Sequence, residues 1–341
     1  MILITGGTGF VGSHLVERLR AGGEPVRCLV RSTSAVRRLP AGVETALADL
    51  ATGQGIERAL GGVDCVIHLA GVTKALSPAD YYAGNAQATG SLVRAMEGRS
   101  IRLVHVSSLA AIGPSLDGRP VRLVHVSSLA AIGPSLDGLP VDEDAPPHPV
   151  STYGKSKLEG ERIARTLFPD AVIVRPPVVY GPRDTDVFRI LKAVAQGLVL
   201  EIAGGERWFS AIYVEDLVEG LWAAANHPSA GGRAYFLTYR APATWRELGA
   251  TAARLMERRP RTLRIPVVAA STIGFFAEMW SHITRNPAII SREKVAEACC
   301  RFWTCDGARA AAELGFEAPT PLETGLAKTL AWYKEKGWLK Y

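Results

Sequence analysis

The sequence predicts an α/β protein built on a doubly wound parallel sheet, on the evidence of two features. Short apolar segments alternate with helical patterns through the first half, and a glycine-rich turn follows the first apolar segment. This alternation is typical of parallel strands joined by crossover helices, because such strands are buried on both faces. We expect a smaller lobe of mixed α/β structure in the second half.

The elements follow from hydrophobic pattern and length, with apolar runs read as strands and amphipathic stretches as helices. The predicted strands are Ile2–Thr5, Val26–Val30, Val63–His68 and Ala171–Arg175. The predicted helices are Val11–Ala21, Pro78–Met96 and Thr152–Leu167. We expect residues 1–175 to form the sheet domain. Residues 176–341 are expected to form most of the smaller lobe, to return some segments to the sheet and to share a cleft with it.

Composition excludes several classes of protein. The 341 residues are 48% hydrophobic and 21% charged, which is ordinary for a globular chain. A net charge of +6 fits either attraction of anionic ligands or a solvated basic surface. The sequence has no basic stretch interleaved with aromatic residues, so we expect no binding of nucleic acid. The five cysteines include no CxxC pair, so we predict that the chain has no metal site. We expect the thiols to be reduced, as in the cytoplasm.

The N-terminus and the longest apolar run bear on membranes. Residues 1–4 carry no basic leader, so no signal peptide is expected. The apolar run at residues 265–277 is shorter than the roughly 20 residues that a transmembrane helix needs. We expect a cytoplasmic protein without a transmembrane segment, in which this run is a buried or interfacial helix. Weak contact with a membrane surface stays open.

An identical repeat stands in the middle of the chain, within the tandem segments 101–120 and 121–140. The peptide RLVHVSSLAAIGPSLDG occupies residues 102–118 and recurs at residues 122–138. Two copies do not make a solenoid, which needs three or more repeats. Because one slot of a sheet holds one strand, we expect the other copy to loop out, form an edge hairpin or displace its twin.

The glycine-rich turn TGGTGFVG occupies residues 5–12, between the first strand and the first helix. Gly6 permits a tight turn, Gly9 lets the backbone approach a pyrophosphate, and Gly12 allows close packing of the helix. The amides of the helix N-terminus then face the phosphates. A glycine turn without a ligand is the alternative, but the strand–turn–helix context favours dinucleotide binding.

Two further positions concern the adenosine half of a dinucleotide. Arg31 follows the second strand, where a guanidinium suits a 2′-phosphate and a carboxylate would instead suit a free 2′-hydroxyl. NADP(H) is therefore favoured over NAD(H), with an exposed arginine of no consequence as the alternative. Asp49, which precedes Leu50, is a candidate acceptor for the adenine amino group or a helix cap.

Tyr153 and Lys157 lie four residues apart in the peptide STYGKSK, on one face of a predicted helix. A nearby ammonium favours phenolate and lowers the phenol pKa from about 10 toward working pH. Such a group can serve as the general acid/base for an alcohol or ketone. Beside a dinucleotide site, the pair predicts a nicotinamide-dependent oxidoreductase.

In their order these motifs resemble the extended short-chain dehydrogenases/reductases, the NAD-dependent epimerase/dehydratase family. The likeness leans toward dihydroflavonol-reductase and 3β-hydroxysteroid-dehydrogenase members. Other matching peptides are VIHLAG at 66–71, VSS at 126–128, RPPVVYGP at 175–182 and IYVED at 212–216. The resemblance covers residues 2 to about 220 and implies a Rossmann-type sheet, a small-molecule substrate and a homodimer.

The resemblance also implies roles for single residues. Tyr153 is the acid/base, Lys157 lowers its pKa and binds the nicotinamide ribose, and Ser128 hydrogen-bonds the reacting oxygen. Asn85 corresponds to a structural or proton-relay position. The repeat leaves Ser108 as an alternative to Ser128, which we favour because its copy leads directly toward Tyr153. Beside the glycine turn, the residues implied to line the cofactor are Phe10, Val11, Leu50, Leu69, Ala70, Gly71, Pro176 and Pro177.

Three functions remain open at this point. The first is hydride transfer between nicotinamide and a secondary alcohol or ketone. The second is a nucleotide-sugar epimerase or dehydratase with retained NAD, and the third is a dinucleotide sensor without turnover. Lys74, Arg183 and Arg207 are candidates for contact with a phosphate or an anionic substrate group. The aromatic residues assigned to an apolar pocket or, by default, to the core are Trp208, Phe209, Phe275, Phe276 and Trp280.

Overall fold

Parallel strands form the centre of the fold, which confirms the predicted α/β class. The computed structural model describes residues 1–32, 36–63, 65–96, 102–105, 124–167, 172–284 and 291–341. The strands of the N-terminal half are β1 (Ile2–Thr5), β2 (Val26–Val30), β3 (Glu44–Leu47), β4 (Cys65–His68), β5 (Arg102–His105), β6 (Val124–Val126) and β7 (Val172–Val174). Those of the second half are β8 (Val178–Tyr180), β9 (Leu198–Ile202), β10 (Trp208–Phe209), β11 (Ala211–Tyr213), β12 (Ala234–Tyr235), β13 (Ala243–Thr244), β14 (Arg261–Ile265) and β15 (Phe302–Trp303).

Helices connect these strands. Those of the first half are α1 (Phe10–Ala21), α2 (Ile56–Ala59), α3 (Pro78–Tyr82), α4 (Ala88–Met96), α5 (Leu129–Ile132) and α6 (Thr152–Leu167). Those of the second half are α7 (Asp186–Ala195), α8 (Val214–Asn226), α9 (Trp245–Leu255), α10 (Val267–Thr284), α11 (Arg292–Cys299), α12 (Ala308–Leu314) and α13 (Leu322–Glu335). The predicted single helix Pro78–Met96 needs correction, because a π-helical segment at Ala83–Gln87 separates α3 from α4.

The central strands pair in the order β3-β2-β1-β4-β5, and a second group pairs as β12-β7-β6. All of these pairings are parallel, with Ile2 of β1 opposite Val26 on one side and Cys65 on the other. This is the strand order of a doubly wound sheet, in which β1 is central. The carboxyl ends of β1 and β4 therefore lie side by side, and the glycine turn and the segment after His68 meet there.

The two copies of the repeat both contribute a strand, so the expectation that one copy would leave the sheet is wrong. In the first copy β5 pairs with β4, and in the second β6 pairs with β7. The two strands lie next to each other. Both copies can form a strand because each one pairs with a different neighbour. Ser108 lies outside the described residues.

Apolar clusters cover both faces of the sheet. Leu15, Val16 and Leu19 of α1 pack with residues of α8 against one face. Leu92 and Met96 of α4 pack with residues of α2 against the other. A third cluster joins α7, α9 and α13 in the second half of the chain. Two-sided burial of this kind explains why the parallel strands are continuously apolar.

Helix α10 departs from the sequence expectation. The prediction of buried core for Phe275, Phe276 and Trp280 is wrong, because these side chains are 47%, 56% and 66% exposed. Among the α10 residues whose burial the structure describes, the buried ones are the small Ala270, Gly274 and Ser281. Helix α10 therefore packs through its small side chains and turns its large apolar ones outward.

Candidate active site

The glycine turn has the shape that a dinucleotide requires. Gly6 has a φ of 69°, and a Cβ there would lie 2.7 Å from the backbone nitrogen of Ala70. A Cβ on Gly12 would lie 2.2 Å from the carbonyl oxygen of Gly6, so the start of α1 touches the turn directly. Helix α1 has Gly9 as its N-cap, without a side-chain cap and without an acidic residue in its first turn. The turn therefore fits a pyrophosphate at the helix N-terminus.

A cleft of about 840 Å³ opens at this edge of the sheet, a volume typical of ligand sites. It brings together most of the predicted site residues. Those that line it are Gly6, Gly9, Phe10, Val11, Gly12, Leu69, Gly71, Ser128, Tyr153, Lys157, Pro176 and Pro177. Ser127 also lines it, and its buried hydroxyl has no hydrogen-bond partner among the described residues. An unpaired buried hydroxyl beside the turn is a further group that a polar ligand can satisfy.

Four predicted cofactor residues do not line the cleft. Ala70 contributes through its backbone, which approaches Gly6. Leu50 is buried in the core cluster under α2. Asp49 accepts a hydrogen bond at 2.8 Å from the backbone nitrogen of Ala51, so part of its carboxylate already closes a turn. Arg31 is exposed just beyond the end of β2.

Tyr153, Ser128 and Lys157 form a cluster at the centre of the cleft. The Lys157 Nζ lies 5.7 Å from the centre of the Tyr153 ring. Burial raises the pKa of Tyr153 to about 12, and a hydrogen bond with Ser128 opposes the rise. Burial also lowers the pKa of Lys157 to about 7, although the charge of Glu161 opposes that shift. The predicted lowering of the Tyr153 pKa by Lys157 is therefore wrong in this structure, because burial dominates both groups.

The chemical consequence is a phenol that keeps its proton at neutral pH. A protonated phenol next to a serine hydroxyl can donate a proton to an oxygen that gains negative charge. The neighbouring lysine, when it carries its proton, can stabilise the phenolate that remains. The cluster therefore suits the reduction of a carbonyl group.

Asn85 is hydrogen-bonded to helix α6, which carries Tyr153, but does not line the cleft. It is fully buried, donates from Nδ2 to the carbonyl oxygen of Val72 at 3.0 Å, and accepts from the Val72 amide at 2.7 Å. It also donates to Ser156 Oγ at 3.3 Å, and Ser156 donates to the carbonyl oxygen of Tyr153. Asn85 lies in the π-helical segment, a distortion that is frequent at functional sites. We assign it a positioning role.

His68 belongs to the VIHLAG peptide, and the sequence assigned it no role. In the structure it lies close enough to Lys157 to feel its charge. It is fully buried and hydrogen-bonded through Nδ1 to the Thr5 hydroxyl and through Nε2 to the Thr89 hydroxyl at 2.8 Å. Burial, helped by the charge of Lys157, lowers its pKa from 6.5 to about 3. The imidazole is therefore neutral and joins the glycine turn to α4.

This histidine gives a prediction for stability. In the unfolded chain His68 takes up a proton as the pH falls below its ordinary pKa of 6.5, whereas in the folded protein its pKa is lowered to about 3. The free energy of unfolding should therefore fall with falling pH in this window, by up to about 1.4 kcal/mol per pH unit from this group. Urea unfolding of wild type and His68→Asn between pH 7 and 4 measures it. The variant should show a shallower slope, and an identical slope would contradict the assignment.

The candidate anion-binding residues are engaged elsewhere. Arg183 donates to Ser13 Oγ at 3.0 Å and pairs with Glu17. Arg207 donates to the carbonyl oxygens of Ile202 and Ala203. Lys74 lines the cleft but forms an ion pair with Asp186. Neither Arg183 nor Arg207 lines the cleft, so the prediction that they hold an anionic substrate group finds no support.

Part of the cleft lining is aromatic and comes from segments without a diagnostic motif. Phe209 stacks on Trp245, with ring centres 4.2 Å apart, and both line the cleft with Trp303. Sequence analysis named Phe209 as a pocket candidate but missed the two tryptophans, which lie far apart in the chain. Helix α11 adds Lys294 and Glu297, and the Lys294 Nζ lies 5.7 Å from the centre of the Tyr153 ring.

Comparison with known proteins places these features in context. The profile of the NAD dependent epimerase/dehydratase family matches residues 2–237. The chain is 31% identical over 342 residues to the ceramide reductase of Caulobacter vibrioides, covering 99% of this chain and 96% of that protein. It is 26% identical over 339 residues to the N-acetyl-alpha-D-glucosaminyl-diphospho-ditrans,octacis-undecaprenol 4-epimerase of Escherichia coli O157:H7, covering 96% and 94%.

A solved structure is similar to this chain over nearly its whole length. MoeE5 in complex with UDP-glucose and NAD aligns with a TM-score of 0.73 and 25% identity, over 98% of this chain and 99% of that one. Among the described residues, no helix is long and apolar enough to cross a membrane. Within the same residues, no group of three or more histidine, cysteine or acidic side chains is placed to hold a metal ion.

Proposed function

The chain belongs to the NAD-dependent epimerase/dehydratase family and is an NAD(P)-dependent oxidoreductase of the extended short-chain type; we propose that it reduces a ketone carried on a lipid-like molecule. The observation that carries this proposal is the hydrogen bond of the Tyr153 phenol with Ser128 in a cleft whose lining includes Phe209, Trp245 and Trp303. The relatives named above act on ceramide and on an undecaprenol-linked sugar, both of which carry long hydrocarbon chains.

The residues of the site divide the work of such a reduction. When bound, the nicotinamide supplies the hydride that reaches the carbonyl carbon. Ser128 orients the carbonyl oxygen, and Tyr153 gives that oxygen its phenolic proton as negative charge develops on it. Lys157 stabilises the phenolate left behind, and Asn85 keeps the helix of Tyr153 in place through Ser156. The glycine turn at Gly6, Gly9 and Gly12 would hold the pyrophosphate.

A turnover screen tests the proposed reaction. The purified protein is mixed with NADPH or NADH and a series of long-chain ketones, short ketones and nucleotide sugars, and loss of the 340 nm absorbance is followed. We expect oxidation of the cofactor with long-chain ketones. Conversion of a nucleotide sugar without net oxidation of cofactor would overturn the proposal.

We propose NADPH as the preferred cofactor, on the strength of Arg31 at the end of β2. In Arg31→Asp a carboxylate would repel a 2′-phosphate and accept from a free 2′-hydroxyl. The ratio of kcat/KM for NADPH to that for NADH should then fall by about 10- to 100-fold. Steady-state kinetics with both cofactors measures this ratio. Arg38→Asp, an exposed charge reversal nearby, is the matched control, and an equal effect there would remove Arg31 from cofactor selection.

An epimerase is the second candidate, favoured by the similarity to the undecaprenol-linked sugar 4-epimerase. In that reaction the cofactor is regenerated within one catalytic cycle, so product forms without added NAD(P)H. Denatured enzyme would release tightly held NAD, which is detectable by chromatography. A homodimer in the cytoplasm also remains a prediction, and sedimentation velocity tests its oligomeric part.

A further inference from the structure

The outward face of α10 is apolar in a way that the fold does not require. Its side chains at positions 273, 276, 279, 280 and 283 are Ile, Phe, Met, Trp and Ile, and they are 49–69% exposed. They recur at intervals of three and four residues and so form one stripe along the helix. Amphipathic helices of globular proteins normally turn such a stripe toward the core, and α10 turns Ala270, Gly274 and Ser281 there instead.

The segment that leads into α10 is basic and also exposes apolar residues. Arg258, Arg259 and Arg261 are exposed and form no ion pair with any residue that the structure describes. In the paired strands β9 and β14, Leu200 lies opposite Leu263, and each is 52% exposed. This segment directly precedes α10 in the chain, and its exposed residues and the stripe of α10 are together called the basic-apolar face below.

The basic-apolar face is connected to the cleft by α11. A Cβ on Gly274 would lie 3.2 Å from the backbone nitrogen of Arg292, so α10 touches the start of α11. Glu278 of α10 accepts from Arg292 Nε at 2.6 Å. On its other side α11 places Lys294 beside the Tyr153 ring and Glu293 against Thr152, whose hydroxyl donates to Glu293 at 2.6 Å. One short helix thus separates the exposed stripe from the catalytic tyrosine.

We propose that the basic-apolar face docks the protein on a bilayer that contains anionic lipids, with α10 lying in the interface. Interfacial helices combine large apolar side chains with nearby cations, because the former enter the acyl boundary and the latter meet the head groups. At 18 residues α10 is about 27 Å long, enough for a substantial footprint in the plane of the membrane. Docking rests on the proposed lipid-like substrate, since it would bring the cleft to where such a molecule is dissolved.

Vesicle flotation of the full chain tests the docking. The vesicles are phosphatidylcholine alone or phosphatidylcholine with phosphatidylglycerol, and bound protein is measured at low and high salt. We expect binding to the anionic vesicles that weakens with salt. Phe276→Ser/Trp280→Ser should weaken this binding by about tenfold or more. Leu136→Ser/Leu139→Ser is the matched control, because Leu136 and Leu139 are 83% and 68% exposed and do not belong to the basic-apolar face.

A second variant separates charge from apolar contact. Arg258→Gln/Arg259→Gln/Arg261→Gln should abolish the preference for anionic over neutral vesicles. Circular dichroism and NADPH binding confirm that each variant is folded. Turnover of a short, water-soluble ketone should be unchanged in the stripe variant, whereas the KM for a ketone embedded in vesicles should rise.

The outcomes separate this proposal from the proposed function. Vesicle binding without reduction of any ketone would support docking and overturn the reductase. Reduction of vesicle-borne ketones by wild type and stripe variant alike, without flotation, would overturn docking. Docking would also be overturned if the wild-type protein bound no vesicle and formed a dimer that Phe276→Ser/Trp280→Ser dissociates. The basic-apolar face would then contact a second copy of the chain.

Discussion

Tyr153→Phe should lower kcat by about 10²- to 10⁴-fold while leaving the affinity for NADPH nearly unchanged. The phenylalanine ring fills the same buried space and loses the hydroxyl that hydrogen-bonds with Ser128. Without that hydroxyl the carbonyl oxygen has no acid to protonate it during reduction. Single-turnover kinetics and fluorescence titration with NADPH measure the two quantities separately.

Tyr81→Phe is the matched control for this substitution. The Tyr81 ring lies 6.4 Å from that of Tyr153, and its residue does not line the cleft. It should cause no comparable loss of kcat. Equal turnover in wild type and Tyr153→Phe would remove Tyr153 from the mechanism. If neither protein turned over any substrate while both bound NADPH, a dinucleotide sensor would be the better description.

Gly12→Ala should weaken NADPH binding by about ten- to a hundredfold. The added methyl carbon would lie 2.2 Å from the carbonyl oxygen of Gly6, and both atoms belong to rigid backbone elements. Either α1 or the turn must shift, at the cost of about 1–3 kcal/mol that overpacking typically brings. The shift moves the amides that would face the phosphates. Titration with NADPH and thermal unfolding measure the loss of affinity and of stability.

The control is Gly61→Ala, where a new Cβ meets Arg58 O at an ordinary distance of 3.4 Å. It should leave both affinity and stability close to those of wild type. If Gly12→Ala bound NADPH as tightly as Gly61→Ala, the turn would not be the pyrophosphate site.

The part of the site that local sequence specifies was predictable. Strand β1, the turn and α1 are adjacent in the chain, and the spacing of Gly6, Gly9 and Gly12 follows from local backbone geometry. Helix α6 matches its predicted bounds of Thr152–Leu167, which places Tyr153 and Lys157 on one face. The family resemblance drawn from these motifs is confirmed by the profile match.

What depends on burial and on distant contacts was not predictable. The spacing of Tyr153 and Lys157 suggests a charge effect, but the desolvation that dominates both pKa values appears once the cleft is assembled. Trp245 and Trp303 line the same cleft as Tyr153 only through the tertiary fold. The outward stripe of α10 defeats the rule that large apolar residues are buried, and the small residues on its opposite face were the sequence signal that could have revealed it.

The central claim is net hydride transfer to a ketone at the Tyr153 cluster, and isotope tracing tests it most directly. The protein is supplied with a long-chain ketone and NADPH deuterated at the transferred C4 position, and the product is analysed by mass spectrometry. We expect an alcohol that carries one deuterium, formed in equal amount with NADP⁺. A product without deuterium, formed while the cofactor pool stays reduced, would contradict the account and favour an epimerase.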